Sequence, residues 1–103
     1  MKIVKVTYTT TADYVAQNKA NISAVMQDLQ AMNNRAINYH VCLGADEQTF
    51  IHTAFFESDE DQKTLFGRAS FQHFQSALKA SRPEAGPIQE LLTLVGSSKP
   101  LFN

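Results

Sequence analysis

Residues 49–57 read Thr-Phe-Ile-His-Thr-Ala-Phe-Phe-Glu. In a strand, successive side chains point to opposite faces, so Phe50, His52, Ala54 and Phe56 share one side and Ile51, Thr53 and Phe55 the other. Both sides are largely apolar. A strand of this kind has to be covered on two faces, which a small domain with one layer of helices does not provide. The segment from Ile88 to Val95 repeats the pattern, with Leu91 and Val95 opposite Ile88, Leu92 and Leu94.

The remaining segments supply the layers. From about Lys2 to Thr9, Val4, Val6 and Tyr8 alternate with Ile3, Lys5 and Thr7, the period of a strand rich in β-branched residues. From about Asp13 to Met32, Val15, Ile22, Val25, Met26, Leu29 and Met32 recur at helical spacing. Asp13 is placed to cap that helix and Asn33-Asn34 to end it. Ile37, Tyr39, Val41 and Leu43 alternate with Asn38, His40, Cys42 and Gly44 in a second strand, and Ala45 to Gln48 forms a hairpin loop. Ser58 and Asp61 have capping-box spacing before a second helix. Gly67 interrupts that helix, Ser70 can cap its continuation through Phe71, Phe74 and Leu78, and Arg82-Pro83 stops it.

The order βαββαβ predicts an α+β, ferredoxin-like domain: a four-stranded antiparallel sheet with its helices on one face. With 103 residues the chain makes one such domain. Two helices cover one sheet face only. Leaving the second apolar face in water forgoes roughly 1.5–3 kcal/mol per large side chain, so a second copy is the expected cover. Two sheets packed face to face make a homodimer with a barrel-like interior, and the tail at Leu101-Phe102 is placed to reach the partner.

Charge narrows the partners. Nine Lys and Arg against ten Asp and Glu, with no run of basic residues, leave no footprint for nucleic acid or anionic lipid. Met1 to Tyr8 interrupts its apolar residues with lysine and threonine, unlike the apolar region of a signal peptide, and no later run is long enough to span a bilayer. A cytoplasmic protein is expected, and the single cysteine, Cys42, fits a reducing compartment.

Three segments carry a more specific likeness: Ile37 to Val41 with Asp46 to His52, the run Ala69-Ser70-Phe71-Gln72-His73-Phe74, and Leu94-Val95-Gly96-Ser97-Ser98. In these the chain resembles the dimeric α/β-barrel superfamily, and within it the small proteins related to the antibiotic-biosynthesis monooxygenases. The resemblance implies a homodimer and a small aromatic or apolar ligand. Among members with activities are oxidation of aromatic polyketides or quinols without a cofactor, haem degradation and isomerisation of small ring compounds; others are not enzymes. The haem-degrading members and the polyketide oxygenase use a Trp and an Asn in the pocket. This chain has no tryptophan, and its first strand offers Thr7 and Tyr8 instead, which argues against haem degradation.

His52 is the main candidate for chemistry. A histidine among Phe50, Ala54 and Phe56 is a titratable group in an apolar setting, where burial disfavours imidazolium and leaves a neutral base. The expected function is a cofactor-independent monooxygenase-like enzyme: His52 takes a proton from a phenol or enol, and the electron-rich anion reacts with oxygen in a dry pocket. Tyr8 and Tyr39 are the candidate donors to a substrate oxygen, and His40, Phe50, Phe56, Phe71 and Phe74 the candidate pocket walls. A core histidine bonded to a neighbour, with tyrosines at the core edge, accounts for the same residues and makes the protein a non-catalytic homodimeric module binding a small apolar ligand. His40 joins the His52 face if the hairpin centres on a residue, and does not if it centres between Asp46 and Glu47. His40 and Cys42 lack a carboxylate or second cysteine at suitable spacing, so no metal and no cofactor are expected. His73 reads as an exposed helix histidine.

Overall fold

The computed structural model describes residues 1–102. Strand β1 (Lys2–Thr9) leads through a short 3-10 turn (Ala12–Tyr14) into helix α1 (Val15–Met32). The hairpin β2 (Ile37–Leu43) and β3 (Thr49–Phe56) follows, then α2 (Asp59–Phe66), α3 (Ala69–Ala80) and β4 (Ala85–Leu92). The sheet order is β2-β3-β1-β4, and every neighbouring pair is antiparallel. This is the ferredoxin-like arrangement the segment order predicts.

Local chemistry explains most boundaries. Asn33 ends α1 in the left-handed region at φ 50°, with its backbone N–H donating to the carbonyls of Leu29 and Gln30. Asp61's carboxylate accepts from both the N–H and the hydroxyl of Ser58 and fixes the start of α2. Two expected caps are not made. Asp13 lies in the 3-10 turn and accepts from the Thr11 hydroxyl, so α1 begins without a side-chain cap. Ser70 lies inside α3 and its hydroxyl donates to Asp28 of α1. Asp28 also takes a two-pronged hydrogen bond from Arg68, at 2.6 and 3.0 Å. Arg68 and Ser70 hold this carboxyl well below its ordinary pKa, at about 2, and the contact ties α1 to the α2–α3 corner.

Strand β4 differs most from the expectation. It runs from Ala85 to Leu92, three residues earlier than the apolar run Ile88–Val95, and leaves Leu94 and Val95 outside the sheet. Gly86 and Pro87, residue types that favour turns, lie within it. An edge strand tolerates proline because one row of its N–H groups has no ladder to join, and β4 pairs with β1 alone. Gly86, at φ 74°, lies so close to β1 that a Cβ there would sit 2.6 Å from the Thr7 carbonyl oxygen. The register slips between Thr7 and Thr9 at this crossing.

The core lies on the helix-covered face: Val4 and Tyr8 of β1, Phe50, Ala54 and Phe56 of β3, Val25 of α1, Leu65 of α2, and Phe71, Phe74 and Leu78 of α3. The second face is partly covered by the chain's own tail. Asn38, on that face of β2, donates to the Leu101 carbonyl at 3.1 Å, and Leu101 and Phe102 are half-buried. Within the single chain the tail docks on its own sheet; its last residue, Asn103, lies outside the described residues. On β4, Ile88 and Leu92 remain 61% and 41% exposed.

Candidate functional site

The hairpin register decides which histidine belongs to the core. Leu43 pairs with Phe50 and Val41 with His52, so the turn centres between Asp46 and Glu47. His52 therefore points to the helix side with Tyr39 and Tyr8. His40 pairs with Thr53 on the opposite face and is exposed, together with Cys42, so His40 does not line the pocket.

His52 is 5% exposed. Its Nε2 lies 2.7 Å from the Tyr8 hydroxyl and its Nδ1 lies 2.6 Å from the Tyr39 hydroxyl. The ring is bracketed by β1 and β2 neighbours, because Val6 and Val41 are its register partners and the tyrosines stand on the strands either side. Phe74 of α3 covers it, ring centroids 5.3 Å apart. Burial lowers the His52 pKa to about 4, so the ring is neutral at pH 7. Burial also pushes both phenols well above their ordinary range; for Tyr8 a hydrogen bond from Asn18 partly opposes this.

Above the triad lies a cavity of about 540 Å³. Val6, Tyr8, Tyr39, His52, Phe71, Phe74 and Leu78 form its lining toward the core, and Gln75, Lys79 and Gln89 add polar groups. Its size and character suit a small aromatic molecule: an apolar body with a few placed polar groups. Of the aromatic residues read from sequence as pocket walls, Phe71 and Phe74 line this cavity. Phe50 is packed against Tyr8 in the core, with ring centroids 5.6 Å apart. Phe56 lines a smaller adjoining space of about 90 Å³ that also touches His52 and Tyr39. His73 is exposed. Among the described residues, no three His, Cys, Asp or Glu side chains converge as a metal site would require.

One residue of the network escaped the sequence reading. Asn18 of α1 is fully buried, and its amide nitrogen donates to the Tyr8 hydroxyl at 2.9 Å. The signal was available: position 18 sits three after Val15 and four before Ile22, inside the helix's apolar stripe, where a polar residue needs a partner.

No protein-family model and no curated protein matches this chain. Solved structures do. The Rv0793 protein of Mycobacterium tuberculosis superposes with a TM-score of 0.78 at 10% identity, covering 95% of this chain and 98% of that one. A protein named antibiotic biosynthesis monooxygenase gives 0.77 at 8% identity, over 93% and 100% of the two chains. A Caulobacter crescentus protein carrying that name provisionally gives 0.77 at 16% identity, over 92% and 90%. This chain has the antibiotic-biosynthesis-monooxygenase-like fold. At such identities the likeness is one of fold, and the chemistry has to be argued from the site.

Proposed function

We propose that the protein is a cofactor-independent oxygenase acting on a small hydroxylated aromatic or quinol, with His52 as the base. The observation that carries this reading is a neutral, buried histidine held by two tyrosine hydroxyls under an apolar cavity. A substrate hydroxyl reaches the ring through a tyrosine: it gives its proton to the phenol oxygen as that tyrosine passes its own to the facing ring nitrogen. The resulting imidazolium donates both N–H groups to tyrosine oxygens. The low pKa of the empty site means that His52 gains its proton only as the substrate becomes an anion, whose charge replaces the solvation that burial removed. The electron-rich phenolate then reduces dioxygen. One oxygen atom enters the ring as a carbonyl and the other leaves as water, so a phenol and O2 give a quinone and H2O. Oxygen uptake with a panel of phenols and hydroquinones tests the reading; no uptake with any of them counts against it.

The second reading, a non-catalytic module binding a small apolar ligand, is favoured by one feature: both ring nitrogens already have partners within the chain, as in a satisfied core histidine. Its mark is a ligand that raises the melting temperature without turnover.

We also propose that the working form is a homodimer closed over the second sheet face. Ile88 and Leu92 of β4 stand exposed on that face, paired with Thr7 and Ile3 of β1 with Glu90 between them, and the exposed Leu94 and Val95 follow in the chain. Native mass spectrometry at micromolar concentration should give twice the chain mass, and Leu92→Glu should shift the population to single chains. A clean monomer in the unmodified protein would contradict the assembly.

A further inference from the structure

We propose that Asn18 is a positioning residue that sets which ring nitrogen of His52 carries the proton, acting through Tyr8, and that it thereby assigns different tasks to the two tyrosines. The proton pattern stands on hydrogen-bond geometry around a ring that burial keeps neutral; its bearing on turnover rests on the oxygenase reading above.

The donors along one chain of hydrogen bonds fix the pattern. Asn18 donates from Nδ2 to the Tyr8 oxygen at 2.9 Å. Tyr8 is 2% exposed, so its own hydrogen needs an acceptor inside the protein, and His52 Nε2 at 2.7 Å is its partner. A nitrogen that accepts carries no proton. The neutral ring then has its hydrogen on Nδ1 and donates it to the Tyr39 oxygen at 2.6 Å. Tyr39, whose oxygen is taken up as an acceptor, turns its hydroxyl hydrogen to the cavity it lines.

The opposite pattern, with the proton on Nε2, would aim two donors at the Tyr8 oxygen and leave the Tyr8 hydrogen buried without an acceptor. It becomes favourable only if the group at position 18 accepts instead of donating. Position 18 thus acts as a selector. The asparagine carries a cost: its Oδ1 is buried with no hydrogen-bond partner among the described residues, at a position in the apolar stripe of α1 that a leucine would fill. The amide nitrogen's hold on Tyr8 gives a reason for that cost.

The consequence for the site is a division of labour. Tyr39 offers a hydrogen to the substrate oxygen, orienting it and stabilising the anion. Tyr8, with its hydrogen already aimed at Nε2, is the relay through which the substrate proton reaches His52.

The test is the pattern of ring-nitrogen signals of 15N-labelled His52 at pH 7, which separates protonated from unprotonated ring nitrogens. The unmodified protein should show Nδ1 protonated and Nε2 bare. Asn18→Leu removes the donor and should give a mixture of the two forms, and Asn18→Asp, an acceptor, should move the proton to Nε2. Tyr8→Phe cuts the relay with Asn18 in place and should release the pattern as Asn18→Leu does, so the inference stays testable if one variant fails to fold. A proton on Nε2 in the unmodified protein, or a pattern unmoved in Asn18→Leu and Tyr8→Phe, would overturn it. These signals need no substrate, so absence of turnover bears on the oxygenase reading and leaves this result standing.

Discussion

Replacing His52 by alanine is expected to lower oxygen consumption with a turned-over phenol on the order of a hundredfold or more, the usual contribution of a positioned base. The reason is local. Tyr8 and Tyr39 are held above their ordinary pKa by burial and cannot take the substrate proton without a partner, and His52 is the titratable group within hydrogen-bond reach of both. Alanine also strips two buried hydroxyls of a partner, which costs about 1–3 kcal/mol of stability for each one left unsatisfied. His52→Gln separates the two effects, because an amide can still bond a tyrosine and cannot store a proton. The expected outcome is a rate as low as that of the alanine variant in a protein closer to native stability. A rate unchanged in a folded His52→Gln variant would remove the base from the mechanism.

The second large effect is on stability against acid. His52 has an ordinary pKa of 6.5 and one of about 4 in the folded chain. Between these values the unfolded chain binds a proton that the folded chain refuses, so stability falls as pH falls through this window and the loss is complete below about 4. A lowering from 6.5 to about 4 corresponds to roughly 3 kcal/mol. Asp28 works in a lower window. Its pKa is lowered from 3.8 to about 2, so its contribution is intact above 3.8 and is lost only as pH falls toward 2. Urea unfolding at fixed protein concentration between pH 7 and pH 4 should show the His52 slope, and His52→Gln should flatten it. A midpoint independent of pH across that range would mean that the ring is not kept neutral by burial.

Alternation and helical spacing were sufficient to order the elements, since each depends on side-chain periodicity that tertiary contacts reinforce. They were sufficient to place His52 beside Phe50 and Phe56, because residues two apart in a strand share a face. Hairpin parity was out of reach: Ala45 to Gln48 admits either centre, and a shift of one residue puts His40 in place of Tyr39 on the face of His52. The start of β4 was hidden by Gly86 and Pro87, turn residues in most contexts and tolerable here at a sheet edge. Asn18 leaves no mark in the helical periodicity of the apolar residues, because a polar residue lying in their stripe does not add to it. The seat of the tail was out of reach, because apolar residues at a terminus tell of burial and not of which surface provides it.

The most direct measurement of the central claim, that the neutral His52 takes the proton of a bound phenol, is the ring signals of labelled His52 during an anaerobic titration with a dihydroxynaphthalene at pH 7. Without oxygen the proton transfer is separated from the chemistry that follows it. The account predicts that the His52 nitrogens, neutral in the free protein, move toward imidazolium positions as the cavity fills, and that the move is absent with the dimethoxy analogue, which has no proton to give. Signals that stay at their neutral positions with the ligand saturated would contradict it.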